Sequence, residues 1–567
     1  MDRRQRSSVS EPTFAVLERR IRGQQRDRFA RLIWRHVASD QSLDADGGAR
    51  VEAQSRVDWA VIDSLRAGAP GPAGAEELGP PGRGGVFSAP IRLDSEDTFH
   101  GPTLWRPAPG RQYGEVVSSV SEIIPVSSVV EAKDETEVGS YFVANYPPFS
   151  TWTADAVERE AKRALDALPA TGVPLGMYLH IPFCRKRCHF CYFRVYTDKN
   201  ANEIADYLDV LVREWELYSD RAAIAGRPLR FVYFGGGTPS FLSSHQLEGL
   251  VQRLSAITSW KDAEEITFEC EPGTLSETKL ATIRRLGVTR LSLGVEHFDD
   301  QILELNGRAH RSPEIGRSYA AARALGFPQI NIDLIAGMLG DSDEKWRACV
   351  EKTLELSPDS VTIYQMELPF NTTISGDLLK GAGRFNGMLS PWATRRRWVE
   401  EAFEALERAG YHIGSAYTAV KDPSRIQFVY RDRLWQGADL VGLGVASFGH
   451  INGVHMQNLD QWETYSAAVR QGGLPLSRAY RPSHEERMIR ELVLQLKTGS
   501  IRPEYFRAKY QVNVLDRFRE QWASLEADGY LKKADPERVA LSRPGLLRVD
   551  SLLRRFFLPH HTAIRYT

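Results

Sequence analysis

From Gly176 onward the sequence repeats one order: a short apolar segment rich in β-branched or aromatic residues, a polar turn, and a helix-forming segment. Parallel strands joined by right-handed helical crossovers are the architecture that this order favours. We therefore predict an α/β fold, an open partial (β/α)6 barrel. The predicted strands are Met177–Ile181, Phe231–Phe234, Glu265–Cys270, Arg290–Val295, Ile330–Ile335 and Ser360–Met366.

Two of the intervening helices carry signals at both ends. The segment Ser276–Leu286 has Ser276 as N-cap and Gly287 after its last turn. The segment Ser312–Leu325 has Ser312 as the predicted cap, with Pro313 next and Gly326 closing. Both are typical of helices of ordinary length in α/β proteins.

Each predicted strand ends in small or polar residues. The carboxyl ends of parallel strands meet at one end of a barrel, which is called the mouth below. We therefore expect these residues to form one site. The signatures are the cysteine loop after Ile181, Gly235-Gly236-Gly237-Thr238-Pro239, Glu269-Cys270-Glu271-Pro272, Gly294-Val295-Glu296, Asp333-Leu334-Ile335-Ala336-Gly337 and Gln365-Met366-Glu367.

Three of the chain's five cysteines, Cys184, Cys188 and Cys191, lie in the loop after the first strand with C-x3-C-x2-C spacing. An iron–sulfur cube normally takes four thiolates, so three can hold three irons and leave the fourth open to an outside ligand. Two alternatives remain: a zinc site that adds His180 or His189, and three packed core cysteines. The sequence has no second C-x2-C or H-x3-H pair, which disfavours zinc.

Composition excludes some classes of function. The 567 residues are 42% hydrophobic with a net charge of −1, and no apolar run approaches the ~18 residues of a membrane span. We therefore expect neither a membrane protein nor a globally basic nucleic-acid binder. Few cysteines, mostly clustered, favour a reducing compartment, and we expect the cytoplasm.

The chain divides into five predicted regions. The last region has helical patterns over His484–Lys497 and Leu515–Ala527 followed by a hairpin, which is winged-helix-like, and its mixed charges favour a lid or docking role. The segment Ser424–Asn458 is predicted to cap or extend the barrel and to be too glycine-rich for a helix. The regions are 1–95, a disordered Arg-rich and then Gly/Pro-rich extension; 96–170, a lead-in segment; 171–380, the barrel; 381–480, its extension and cap; and 481–567, the C-terminal domain.

The run Tyr178-Leu179-His180-Ile181-Pro182-Phe183-Cys184, with the ordered strand-end signatures, resembles the HemN-type branch of the radical S-adenosylmethionine (SAM) superfamily. The resemblance covers about Gly176 to the C-terminus. It implies a [4Fe-4S] cluster whose open iron is chelated by SAM, and reductive cleavage of SAM to a 5′-deoxyadenosyl radical. It also implies a small organic substrate and a flavodoxin or ferredoxin as electron donor.

Residue roles follow from the resemblance. It makes Cys184, Cys188 and Cys191 the cluster ligands. A guanidinium suits the SAM carboxylate, carboxylates suit the ribose hydroxyls, and glycines let the SAM amino group approach the backbone. The implied cofactor-binding residues are Tyr178, Phe190, Gly235, Gly236, Gly237, Thr238, Glu269, Glu296, Arg308, Asp333 and Ile335. The candidate catalytic residues are Tyr178, Gln365 and Glu367, which would border a second SAM or the substrate.

Some positions depart from the best-known members of this branch. Tyr192-Phe193 replaces a further cysteine of the coproporphyrinogen oxidases, and Glu296 stands where they usually have Gln. The stretch from Tyr430 to Trp435 replaces the His-Asn-x-x-Tyr-Trp motif of the heme chaperones. These departures favour methylases and cyclopropanases that use a second SAM. Two alternatives stay open: porphyrin propionate decarboxylation, and a heme-binding chaperone with His450 or His455 as axial ligand.

Overall fold

The computed structural model describes residues 138–140, 142–381 and 383–562. All of these belong to one compact unit, Ser121–Thr567. The predicted extension over 1–95, and residues 96–137 of the lead-in, lie outside the described residues.

Six parallel strands form the centre of the molecule, and all six predicted strands are confirmed to within two residues at either end. Their apolar residues are buried on both faces, as expected for parallel strands covered by helices. The strands are β1 (Leu175–Ile181), β2 (Leu229–Gly236), β3 (Glu265–Cys270), β4 (Arg290–Glu296), β5 (Gln329–Ala336) and β6 (Ser360–Gln365), in the spatial order β1-β2-β3-β4-β5-β6.

Helices precede, connect and follow these strands. Ser276 caps its helix as predicted, since its hydroxyl accepts a hydrogen bond from the Lys279 N–H. The predicted cap at Ser312 is wrong: Ser312 is the first helical residue, and its N–H donates to Asp300 Oδ1 at 2.7 Å, so that the carboxylate takes the place of a serine cap. The helices are α1 (Lys162–Asp166), α2 (Ala201–Ser219), α3 (Ser244–Ile257), α4 (Glu277–Arg285), α5 (Asp300–Leu305), α6 (Ser312–Ala324), α7 (Asp343–Leu356), α8 (Thr373–Leu378) and α9 (Trp392–Arg408). Shorter turns are 3-10 helices at Phe149–Thr151, Pro239–Phe241, Pro272–Thr274 and Arg554–Phe556, and a π-helical turn at Val157–Ala161.

Further strands extend both edges of the barrel sheet, which has twelve strands in all among the described residues. One of them, β9, pairs in parallel with β1, which lies between β2 and β9. The added strands are β7 (His412–Ile413), β8 (Thr418–Val420), β9 (Asp439–Leu443), β10 (Phe448–Ile451), β11 (Val454–Asn458) and β12 (Leu476–Tyr480), in the full order β12-β11-β10-β9-β1-β2-β3-β4-β5-β6-β8-β7.

The segment Ser424–Asn458 extends the sheet as predicted, through β9, β10 and β11. The prediction that it is too glycine-rich for a helix is wrong, because α10 (Val429–Trp435) lies within it. The glycines of this segment begin only at Gly437, after the helix has ended.

A second hydrophobic core lies in the C-terminal part, where helices surround a small sheet of order β13-β15-β14. This confirms the winged-helix-like order of helices and then a hairpin. The predicted helix over Leu515–Ala527 is divided near Phe518, a buried residue with non-helical ψ. The elements are α11 (Trp462–Arg470), α12 (His484–Leu496), β13 (Ser500–Ile501), α13 (Pro503–Tyr510), α14 (Val514–Arg517), α15 (Arg519–Ala527), β14 (Leu531–Ala534), β15 (Val539–Leu541), α16 (Arg543–Leu547), α17 (Val549–Leu553) and α18 (Pro559–Thr562).

None of the helices in the described ranges is long and apolar enough to cross a membrane.

Candidate functional site

The cysteine loop leaves the carboxyl end of β1 and is held by backbone hydrogen bonds on two sides. The Cys184 N–H donates to the Tyr196 carbonyl at 3.0 Å, and the His189 N–H donates to the Asn306 carbonyl at 3.0 Å. The second bond ties the loop to the residue that ends α5. The loop conformation is therefore fixed by its neighbours.

Two side chains donate directly to cysteine sulfurs. Thr238 Oγ1 lies 3.3 Å from Cys184 Sγ, and Arg308 Nη1 lies 3.4 Å from Cys188 Sγ. All three cysteines of the loop are unpaired. Burial raises the pKa of Cys184 to about 12 and of Cys191 to about 11. Such thiols become thiolates when a metal cation offsets the cost of burying their charge.

The spacing of the three sulfurs separates two kinds of metal site. Thiolates on one zinc ion, with Zn–S bonds of ~2.3 Å, lie about 4 Å apart. Among the described residues, no set of three ligand atoms within 4.8 Å of one another includes these cysteines. An iron–sulfur cube does not require the sulfurs to lie this close together, because each thiolate binds a different iron.

The two histidines considered as zinc ligands differ in how many of their ring nitrogens have a protein partner. His180 Nδ1 lies 3.2 Å from the Tyr178 hydroxyl and its Nε2 lies 3.3 Å from the Arg194 carbonyl. His189 Nδ1 lies 2.9 Å from the Leu305 carbonyl. Both ring nitrogens of His180 are therefore occupied, which disfavours it as a zinc ligand, whereas Nε2 of His189 is not engaged by these contacts.

The glycines after β2 pack against protein atoms. A Cβ on Gly237 would lie 2.9 Å from the Phe183 carbonyl oxygen and 2.9 Å from the Pro182 carbonyl carbon, both backbone atoms of the cysteine loop. Gly236 has a φ of +113°, and a Cβ there would lie 2.5 Å from His180 Nδ1. The glycines Gly236 and Gly237 thus let the end of β2 lie directly against the loop, a reason that the sequence prediction did not include.

Three carboxyl groups line the mouth at the ends of β3, β4 and β5. Glu269 accepts from the Tyr233 hydroxyl at 2.7 Å and from the Gly236 N–H at 3.2 Å. Asp333 accepts from the Ser292 hydroxyl at 2.8 Å. Burial raises the pKa of Glu269 to about 7 and of Glu296 to about 7, and it also raises the pKa of Asp333. A cationic ligand bound at the mouth would lower each of the three pKa values.

Arg308 links the cysteine loop to these carboxyl side chains. Its Nη2 donates to the Gly294 carbonyl at 2.6 Å and lies 3.6 Å from Glu296 Oε1. Burial lowers the Arg308 pKa, but the charges of Cys188, Glu296 and Glu271 outweigh burial and raise it overall. Its buried Nε has no partner among the described residues, so a donor remains for an anionic ligand.

Phe190 and Ile335 lie together in one apolar cluster with Ile302, Met338 and Met366. Tyr178 lies beside Gly235, where its ring stacks on Tyr233 with centroids 5.9 Å apart. Burial and the Glu269 charge raise the pKa of Tyr178 well above its usual value. The mouth therefore has an apolar wall and an aromatic, polar wall.

The two candidate catalytic residues at the end of β6 differ in their surroundings. The Gln365 amide donates to the Leu547 carbonyl at 3.0 Å, so that side chain joins the barrel to α16. Glu367 has one buried carboxyl oxygen with no partner among the described residues, and burial raises its pKa to about 8. Glu367 is therefore the candidate with an oxygen free to bind a ligand.

A group of tyrosines around Glu269 was largely missed by the sequence analysis. Burial, followed by neighbouring charges that include Glu269, raises the pKa of each. Tyr233 had a signal, since it lies two residues before Gly235 and so on the same face of β2. Tyr430, whose ring lies 4.4 Å from that of Tyr233, had none, because it comes from a distant helix. The tyrosines are Tyr178, Tyr233 and Tyr430.

His450 and His455, the axial ligands considered for heme, face each other on paired strands. Their Nδ1 atoms are 2.9 Å apart, and both rings are buried. His455 Nε2 also lies 3.2 Å from the Tyr146 carbonyl. These contacts are those of structural hydrogen-bonding residues.

Comparisons with known proteins agree with this geometry. Residues 178–352 match the family model described as the Radical SAM superfamily. The heme chaperone HemW of Bacillus subtilis is 28% identical over 381 residues, 67% of this chain and 98% of that protein. The oxygen-independent coproporphyrinogen III oxidase of Pseudomonas aeruginosa is 29% identical over 420 residues, 70% of this chain and 88% of that protein. The solved coproporphyrinogen III oxidase (HemN) of Escherichia coli has a TM-score of 0.63 and 24% identity, covering 73% of this chain and 96% of that one, which shows the shared fold.

The strand-end cysteine loop and the matching model together define a radical SAM domain over residues 178–352. Beyond this domain, the chain is similar to members of the HemN-like branch of that superfamily, with 29% identity to the oxidase and 28% to the heme chaperone.

The cofactors of this superfamily are a [4Fe-4S] cluster and SAM, and the described residues fit both. Three unpaired thiols with an open fourth position fit the cluster. The unpartnered Arg308 Nε, beside buried carboxyl groups, fits a ligand that carries both an anionic and a cationic end.

Proposed function

We propose that this protein is an enzyme that reductively cleaves SAM at Cys184, Cys188 and Cys191 and uses the resulting radical on a small organic substrate at the barrel mouth. When bound, the cluster and SAM supply one-electron cleavage of the sulfonium to a 5′-deoxyadenosyl radical. A reduced flavodoxin or ferredoxin is the proposed electron donor.

The side chains of the mouth bind and orient the cofactor. Arg308 is positioned to pair with the SAM carboxylate, because its guanidinium lies between Cys188 and Glu296 and keeps one free donor. Glu269 and Asp333 accept hydrogen bonds and suit the ribose hydroxyls or the positive end of SAM. Phe190 and Ile335 supply an apolar surface for the adenine. The buried setting excludes water from a reactive intermediate.

The observation that supports a choice of substrate is a partly exposed aromatic rim made of Tyr192, Phe193, Tyr364 and Phe370. Their exposed fractions lie between 36% and 45%, unusually high for large apolar side chains. The Tyr192 and Phe193 rings lie 4.5 Å apart. A rim of this kind suits a planar, unsaturated substrate.

The charges beside the rim do not favour a substrate with several carboxylates. Glu367 itself carries a carboxyl group, and the nearby Arg395 and Lys497 are buried. Arg395 donates to the Met366 carbonyl, and Lys497 lies 2.9 Å from Asp550 Oδ1. We therefore favour methylation or cyclopropanation at an sp2 carbon, for which a second SAM would act as a substrate, giving one methyl hydrogen to 5′-deoxyadenosine and its methyl carbon to the product. Tyr178 and Glu367 would border that second SAM, and Gln365 would hold the adjoining strand end.

The decisive experiment is anaerobic reconstitution followed by turnover with methyl-deuterated SAM and dithionite. The proposal expects about four irons per chain, 5′-deoxyadenosine as product, and deuterium in that product. Cys188→Ala should abolish 5′-deoxyadenosine formation, whereas Cys349→Ala, a buried cysteine outside the loop, should retain it. Unlabelled 5′-deoxyadenosine would refute the second-SAM mechanism and leave radical cleavage of SAM intact.

The relatives support two other functions, each with its own outcome. The oxidases among them favour coproporphyrinogen as substrate, and anaerobic turnover to a decarboxylated porphyrinogen would establish that reading. The heme chaperones favour heme binding. Stoichiometric heme uptake with no 5′-deoxyadenosine would establish a chaperone instead of an enzyme.

A further inference from the structure

We propose that the C-terminal domain contains a second metal site, for a divalent transition-metal ion such as Zn²⁺, formed by Glu486, His560 and His561. The nearest ligand atoms of these three side chains all lie within 4.8 Å of one another. Glu486 comes from the first turn of α12 and the histidines from α18, so the site joins two helices that are distant in sequence.

The Glu486 carboxylate is fixed in place but keeps capacity for a metal. It accepts from the Ser483 N–H at Oε2 and from the Tyr480 hydroxyl at Oε1, each at 2.7 Å. A carboxylate offers about four lone-pair positions, so about two remain. The residue is buried, with 5% of its surface exposed. A held carboxylate of this kind loses little side-chain entropy on binding a metal.

The position of His561 matches that of a metal ligand. Its Nε2 lies 3.6 Å from Glu486 Oε1, longer than a hydrogen bond. Two ligands bound tetrahedrally at ~2.1 Å lie about 3.4 Å apart, close to that distance. The other ring nitrogen, Nδ1, lies 2.8 Å from the Tyr146 hydroxyl. A hydrogen bond to the second ring nitrogen is the usual way in which a metal-binding histidine is oriented.

Tyr146 is well placed for this orienting role. Its hydroxyl also accepts from the Leu558 N–H at 3.1 Å, which fixes the oxygen beside the start of α18.

His560 completes the set from the solvent side. Its side chain is exposed, and its ring centroid lies 4.1 Å from that of His561. Two imidazoles and one carboxylate suit Zn²⁺, and a fourth position open to solvent would be filled by water. A bound ion would fasten α18 to α12 and to the Tyr146 segment.

The test is zinc content of the full-length protein after anaerobic cluster reconstitution and equilibrium dialysis against micromolar ZnSO₄. Iron and zinc are measured in the same sample by mass spectrometry, so that zinc in an unfilled cysteine site is recognised from missing iron. We expect one zinc per chain in the wild type, none in His560→Ala, and one in His484→Ala, which alters an exposed histidine of the same region outside the triad. Equal zinc in the wild type and His560→Ala would overturn the proposal.

Thermal unfolding gives a second, independent measurement. A ligand that binds the folded state raises the unfolding temperature in proportion to the logarithm of its concentration. Zinc should raise the unfolding temperature of the wild type and of His484→Ala, and leave that of His560→Ala unchanged. An equal rise in all three proteins would contradict the proposed ligands. Because His560 is exposed, its replacement is not expected to prevent folding.

Discussion

At the scale of single residues, the barrel mouth contains several carboxyl groups whose ionisation is disfavoured by burial. Burial raises the pKa values of Glu269, Glu296 and Glu367 to about 7, 7 and 8, so that ionising them costs more here than in water. Only cations or hydrogen-bond donors from a ligand can restore their charge at low cost. This is the behaviour expected of a site prepared for a positively charged cofactor, and it agrees with the radical SAM assignment.

Glu367 gives a pH-dependent prediction. Its pKa is raised from an ordinary 4.5 to about 8, so the folded protein binds more protons than the unfolded chain between those pH values. Stability should therefore fall as pH rises through that window. In Glu367→Gln this loss disappears, and the variant should gain roughly 1–3 kcal/mol on the wild type between pH 5 and pH 8.

Guanidinium unfolding of the reconstituted protein at pH 5, 6.5 and 8 measures the effect. Glu351→Gln, on an exposed position of α7, is the matched control and should follow the wild type. Parallel stability curves for Glu367→Gln and the wild type would show that Glu367 is ionised throughout.

At the scale of elements, the position of the cysteine loop depends on a close contact between two strand ends. The end of β2 lies against the loop after β1 because Gly237 has no side chain. The loop is a backbone neighbour and cannot rotate away as a side chain would. The cysteine positions are thus set by the packing of β1 and β2 as much as by their own sequence spacing.

Gly237→Ala should therefore damage cluster binding. The new Cβ would lie 2.9 Å from backbone atoms of Phe183 and Pro182, so the loop has to move. We expect iron content after reconstitution to fall by at least half, with the folded protein retained. Gly249→Ala is the control: it lies in α3 with no neighbouring atom within 4 Å, and it should bind iron normally and be stabilised by up to about 1 kcal/mol. Normal iron content in Gly237→Ala would show that the contact is dispensable.

The elements also show how far sequence reasoning reaches. The six central strands were predictable because each is a short run rich in apolar residues followed by a turn, a local pattern. The pairing of β9 with β1 and the contact of Tyr430 with Tyr233 were not predictable, because each joins segments that lie far apart in the sequence. The α10 helix was not predicted because the glycines from Gly437 onward dominate the composition of the segment.

The residues of the site also divide into those that the sequence could predict and those that it could not. The cysteines, the glycine run and the strand-end carboxyl groups carry local signals and a family resemblance, and the structure brings them to one mouth. Gln365 was predicted to face a ligand, but its amide donates to the Leu547 carbonyl. No local pattern could have revealed that the C-terminal domain lies against that strand end. Side chains that meet across domains are therefore the least predictable part of the site.

At the scale of the whole molecule, polar contacts of the Asp550 carboxylate join the barrel to the C-terminal domain. This carboxylate accepts from the Val143 N–H at 2.9 Å and from the Tyr417 hydroxyl, and it lies 2.9 Å from Lys497 Nζ. Tyr417 precedes β8 of the barrel sheet, whereas Lys497 follows α12. One side chain thus connects three separate parts of the fold.

Asp550→Ala should be strongly destabilising. It leaves the ammonium of Lys497, whose side chain is 4% exposed, without its charge partner, and breaking such a buried pair costs about 3–5 kcal/mol. Urea unfolding should show a lower midpoint. Asp460→Ala, which removes an exposed pair with Arg194, should change stability by no more than about 1 kcal/mol. Similar midpoints for the two variants would show that Asp550 is not a structural hub.

The pairing of β1 with β9 has a consequence for biogenesis. The strand that carries the cysteine loop lies between β2 and a strand that begins only at Asp439. A nascent chain on the ribosome can present all three cysteines long before that flanking strand has been translated. Maturation factors that deliver iron and sulfide should therefore act late, on a nearly full-length polypeptide. An earlier arrest of synthesis would release a protein that cannot bind the iron–sulfur cluster.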